Sequence, residues 1–155
     1  MNRGLLLVAL ALAAAVGGGC SSKEGVGSDR VKICLAQDAP ATGFVQTTVA
    51  GTGQMIYLSP DVILTGRHVK SAQLLKTADG LPAVGVAFTK SGKEKLARFT
   101  TEHKGQMLAI VVDGRVSIAS AIAMPITDGN MLIGGRMTHE QAVSLAEALV
   151  APPEK

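Results

Sequence analysis

The chain has 155 residues, with 15 Lys and Arg against 12 Asp and Glu and a formal charge of +3. So slight an excess argues against nucleic acid or an acidic polymer as partner, and with no Trp, one Tyr and three Phe there is little to stack bases on. The length suits one domain plus a tether.

Met1-Asn-Arg3 is a short basic start, and Leu5 to Val16 is an apolar run that ends at Gly17-Gly-Gly-Cys20. As a helix that run would rise about 18 Å, too short for a hydrocarbon layer of about 30 Å. Residues 1–19 are therefore expected to be a signal peptide. Cys20, following small residues, resembles a bacterial lipobox cysteine and is the expected lipidation site; the alternative is an ordinary cleaved signal with Cys20 incidental. Two or three acyl chains would hold the protein on a membrane surface of the bacterial cell envelope, facing the periplasm or exterior. Loss of Arg3 lowers the formal charge from +3 to +2.

Residues 20–29 are expected to be a Gly/Ser-rich flexible tether, residues 30–150 the folded domain, and residues 151–155 a frayed tail. Val31 to Leu35 alternates as a strand does. Asp38 to Gly53 reads mostly as loop, with room for a short strand at Phe44 to Val49. After Thr65-Gly-Arg, His68 is placed at the start of a short helix whose inward positions are Val69 and Ala72. Pro82 to Phe88 is a buried strand. Thr89 and Ser91 are candidate N-caps for a helix over about 90–103, with Leu96 and Phe99 inward, and Gly105 ends it. Met107 to Val112 and Arg115 to Ala119 form a hairpin around Asp113-Gly114, a pair that accepts the positive φ angles of a two-residue turn. Met131 to Gly135 is a further strand. Thr138-His-Glu-Gln141 has capping-box spacing ahead of a helix over 138–150, with Ala142, Leu145, Ala146 and Leu149 on its apolar side.

Six segments come in the order and at about the spacing of a known module: Val62 to Gly66 with Val69 to Ala72, Val86 to Thr89, Leu108 to Val116, Pro125-Ile126 and Ile133 to Ala142. Together, over residues 57–149, they resemble the head subdomain of the first periplasmic domain of SecD, a membrane subunit assisting protein export through the Sec channel. Two positions depart from that pattern. Ala119-Ser120 stands where the family usually has Ala-Pro, and Met137 where it has Phe. The sequence carries no counterpart of the SecD membrane helices, so a proton-powered motor is not expected of it alone.

Other features have plainer explanations. Cys34 reads as buried filler of the first strand rather than a reactive thiol, since no flanking base or CxxC spacing accompanies it. His68, His103 and His139 fall in three separate elements without HxH or HExxH spacing, so no metal site is expected. A triad of Ser117 or Ser120 with His68 and Asp113 lacks the Gly-x-Ser-x-Gly elbow that exposes a nucleophile. Gly51 and Gly53, like Gly134-Gly135, suit a loop and a strand end better than a phosphate cradle. Lys90, Lys93, Lys95, Arg98 and Lys104 suit a solvated helix face, with docking to anionic headgroups the alternative.

The fold class expected is α+β: a mostly antiparallel sheet of four to six strands with two helices on one face, ferredoxin-like in style, its other face partly open. The resemblance implies a membrane-tethered module that binds a polypeptide or a membrane-protein partner, the Sec export machinery among them, with no cofactor and no catalysis. The route would be an exposed strand edge or a groove between sheet and helix. A scaffolding lipoprotein docked on one fixed partner and a cryptic hydrolase are the competing classes.

Overall fold

The computed structural model describes residues 30–150; the signal segment, Cys20, the tether and the 151–155 tail lie outside the described residues. In chain order come β1 (Val31–Gln37), β2 (Val45–Thr48), β3 (Met55–Thr65), a 3-10 turn (Gly66–His68), β4 (Val69–Lys76), β5 (Pro82–Phe88), α1 (Lys90–Glu102), β6 (Met107–Val112), β7 (Arg115–Ala121), β8 (Asn130–Gly134) and α2 (His139–Val150). The class is α+β, and every pairing between named strands is antiparallel. The strands are shared between two sheets rather than gathered in one, in the orders β2-β3-β1-β6-β7 and β4-β5-β8.

The split arises at Gly66–His68. The short helix placed at 68–72 does not form: the 3-10 turn ends at His68 and Val69 opens β4. Val69 and Ala72 are inward-facing, but they face inward from a strand paired along β5, with an irregularity between Val69 and Ser71 that shifts the alternation by one residue. A single turn is all that separates the last residue of one sheet from the first of the next.

One large core joins both sheets and both helices. Val31, Ile33 and Leu64 come from the five-stranded sheet, and Val84, Val86 and Phe88 from β5. Leu96 and Phe99 of α1 and Leu145 and Leu149 of α2 complete it. Leu96 and Leu149 are fully buried, each contributing roughly 1.5–3 kcal/mol by leaving water. Thr89 caps α1 by accepting the Gly92 N–H at 3.2 Å. Gly105, at φ 86°, follows the last turn.

The five-stranded sheet also buries its other face. Cys34 and Ala36 of β1, Ile56 of β3, and Ala109 and Val111 of β6 line a second cluster, closed by Val49 and Val116. Cys34, Ala36 and Ala109 are small, which lets the sheet curl tightly. The curl brings Val49, just past edge strand β2, against Val116 of the opposite edge strand β7 in a parallel bridge. Ala50 N–H donates to the Val116 carbonyl at 2.8 Å.

The hairpin between β6 and β7 is as expected, with Val112 paired to Arg115 and positive φ at both Asp113 (49°) and Gly114 (79°). Asp113 is further held by Arg30, whose Nε and Nη2 each donate to its carboxylate at 2.6 Å. Among the described residues, no helix is long and apolar enough to cross a membrane.

Candidate functional site

Where β7 leaves the Val49 bridge, a groove of about 480 Å³ opens between β7, the loop after β2 and the first turns of α2. Val49, Ile118, Met137 and Leu145 supply its apolar surface, and Ser117, Ser120 and Ser144 its hydroxyls. Arg136 and Glu140 stand exposed on its rim with opposite charges, so the opening makes no strong demand on the charge of an occupant. On its outer side β7 meets only the Val49 bridge; from Ile118 to Ala121 no further strand flanks it among the described residues. An unflanked strand offers backbone donors and acceptors to any extended chain laid beside it.

The helix wall of the groove is fixed by the capping box read from the sequence. Thr138 N–H donates to Gln141 Oε1 at 2.8 Å, and Gln141 N–H to Thr138 Oγ1 at 3.2 Å. With its oxygen held, Gln141 turns its Nε2 toward Gly51. A Cβ built on Gly51 would lie 2.5 Å from that nitrogen, and Gly51 has φ 81°. Loop and helix therefore meet at a position only glycine fits well.

The residues singled out from sequence are dispersed. His68 sits at the crossover between the sheets, where Thr65 N–H donates to its Nδ1 at 3.1 Å and Lys95 Nζ lies 3.1 Å from its Nε2. Burial and then the Lys95 ammonium hold its imidazole below the ordinary value. His103 caps α1 and stacks on Phe99 with centroids 4.6 Å apart. His139 is exposed in the first turn of α2. Ser117 and Ser120 line the groove, but Asp113 is bound to Arg30, which holds its carboxyl below the usual range, so the paper triad is not assembled. No group of three or more His, Cys, Asp or Glu that could hold a metal ion comes together among the described residues. Cys34 is buried in the second cluster, and desolvation pushes its thiol up, away from the reactive thiolate.

Residues 42–152 match the family described as SecDF, P1 head subdomain. The chain belongs to the SecDF P1 head subdomain family. It is 39% identical over 89 residues to the protein translocase subunit SecD of Magnetococcus marinus, covering 57% of this chain and 17% of that protein. To the protein translocase subunit SecDF of Thermus thermophilus it is 37% identical over 87 residues, 56% of this chain and 12% of that one. A solved structure of SecDF, a membrane component that enhances protein export, superposes with a TM-score of 0.62 at 25% identity, over 81% of this chain and 64% of the other. The chain spans less than a fifth of the two curated relatives.

The sequence reading left the binding residues unassigned, and the P1 head groove shows why. Gly51, Ser120 and Gln141 were each noticed for a local reason, but their meeting depends on the curl that joins Val49 to Val116.

Proposed function

We propose that this SecDF P1 head domain is a membrane-tethered, extracytoplasmic module that binds extended polypeptide in the groove beside β7, without chemistry of its own, in work related to protein export. The observation that carries this reading is the open edge of β7 from Ile118 to Ala121 lying against an apolar-floored groove. A polypeptide segment added there gains backbone hydrogen bonds from β7 and seats alternate side chains on Ile118, Met137 and Leu145. Backbone recognition makes little demand on sequence, which suits a module meeting many exported chains. The relatives named as protein translocase subunits support the export setting. Acylation at Cys20 would place the domain at the envelope membrane, and mass spectrometry of the N-terminal peptide reads it directly.

The test is NMR titration of an unfolded model polypeptide into the mature chain, residues 20–155, carrying Cys20→Ser, which has neither acyl groups nor the apolar Leu5–Val16 segment. Expected are shifts in Ile118 to Ala121 and along Gln141 to Leu145. Ser144→Arg fills the groove from an exposed helix position with a good helix former and should abolish them. An unchanged spectrum at millimolar polypeptide overturns the proposal.

A further inference from the structure

We infer that the end of the domain from which the N-terminal tether departs is a docking face for anionic lipid headgroups. The inference rests on the membrane-tethered reading above and adds an orientation to it.

The face is defined by strand ends. Arg30 precedes β1, and Lys32 pairs with Val111 on one side and Thr65, the last residue of β3, on the other. Val112, the end of β6, pairs with Arg115, the start of β7. From β3 to β7 there are three strand spacings, about 14 Å across. The second sheet and α1 bring their ends to the same place. Lys70 is the second residue of β4, one turn beyond Thr65. Thr89, ahead of Lys90, donates its N–H to the His68 carbonyl at 2.8 Å, and Lys95 reaches His68 at 3.1 Å.

Arg30, Lys32, Lys70, Lys90, Lys95 and Arg115 are all exposed at this end. The acids in the vicinity are few. Asp113 is bound by Arg30, Asp128 lies where the Lys93 charge acts on it, and Glu94 sits on α1 between Lys93 and Lys95. At the far end, Asp38 beyond β1, Asp79 in the turn after β4, Glu102 at the end of α1 and Glu140 at the start of α2 offset Lys76, Lys104 and Arg136, which follows β8. The domain is thus polarised along its strands, and the cationic pole is the one carrying Arg30.

Arg30 lies ten residue steps beyond Cys20, a span of at most about 35 Å. An acylated Cys20 keeps Arg30 within that distance of the headgroups, and the cationic pole is the part of the domain that arrives first. Basic residues near an anionic surface each add about a fivefold gain in binding, falling off within a Debye length of about 10 Å at 0.1 M salt. A strong anchor and a weak electrostatic contact then fix which way the domain stands.

The test uses residues 20–155 carrying Cys20→Ser, so that neither an acyl group nor the apolar Leu5–Val16 segment contributes, in flotation with phosphatidylcholine vesicles with and without a quarter phosphatidylglycerol. Flotation is expected with the phosphatidylglycerol vesicles alone, and its loss at high salt. Lys32→Glu with Arg115→Glu should weaken it at least about twentyfold. Lys76→Glu with Lys104→Glu, the same charge change at the far end, should weaken it far less. Should the first pair fail to fold, Lys90→Glu with Lys95→Glu probes the same face. Equal flotation on both vesicle types, or equal weakening by the near-end and far-end pairs, overturns the inference. Polypeptide titration without vesicles is indifferent to all of these outcomes, and a Cys20 found unacylated removes the tether without touching the vesicle result.

Discussion

Gly51→Ala probes the closure of loop on helix at the groove. Two costs add. At φ 81° an alanine pays roughly 1 kcal/mol for the left-handed backbone. Its Cβ would also sit 2.5 Å from Gln141 Nε2, so the glutamine must leave the box in which it accepts the Thr138 N–H at 2.8 Å. Loss of that bond costs about another 1 kcal/mol. The sum, about 2 kcal/mol, corresponds to a fall in melting temperature of roughly 6–10 °C for a domain of this size. Urea or thermal unfolding of four proteins forms the assay: the parent, Gly51→Ala, Gln141→Ala and the double variant. In the Gln141→Ala background the obstacle is gone, so Gly51→Ala should cost only about 1 kcal/mol, the backbone share. Equal costs in both backgrounds would show that Gln141 does not lie over the loop. No cost in either would show that the loop does not hold Gly51 left-handed.

Other outcomes are expected from α1 and from the crossover. Thr100, fully buried, donates to the Leu96 carbonyl at 2.8 Å and accepts the Ile126 N–H at 2.9 Å, so Thr100→Val should cost about 1–3 kcal/mol in urea titration by orphaning that N–H; a change below about 0.3 kcal/mol would show that water replaces the hydroxyl. A Cβ on Gly92 would lie 2.7 Å from the His68 carbonyl oxygen, a backbone atom that cannot swing aside, so Gly92→Ala should lose about 1–3 kcal/mol, read as a lowered melting temperature. The imidazole of His68 is held below its ordinary value, so the unfolded chain takes up that proton first as the pH falls. Its contribution is complete above about pH 6.5 and is lost as the pH drops through the lowered native value. His68→Gln should flatten stability between about pH 7 and 5. The loss from Asp113 and Asp128, whose carboxyls are held below their usual 3.8, stays confined to more acid solution. Parallel pH curves for parent and variant would contradict the crossover geometry.

Much of the chain was legible because its signals are local. Asp113-Gly114 dictates a two-residue turn, Thr89 and Gly105 bracket α1, and Thr138 with Gln141 opens α2; each works through neighbours within four residues. The failure at Val69 and Ala72 is equally physical. Apolar residues three apart fit a helix turn, and only the irregularity opposite β5 lets a strand turn both inward. β3 is absent from the strands expected of the sequence because Pro60 interrupts its eleven residues, and Pro60 and Val62 stand exposed. The groove was illegible for a different reason. Its walls come from residues near 50, 118 and 141, and their meeting depends on a curl made possible by Cys34, Ala36 and Ala109 packing inside the sheet.

β1, the first strand of the described residues, is the middle strand of its sheet, with β3 on one flank and β6 on the other. Tension entering at Arg30 therefore runs along the strand and loads both ladders together. To extract β1, many hydrogen bonds must slide and fail at once, whereas an edge strand would peel away bond by bond. A domain threaded in this manner resists a pull applied through its N-terminal end.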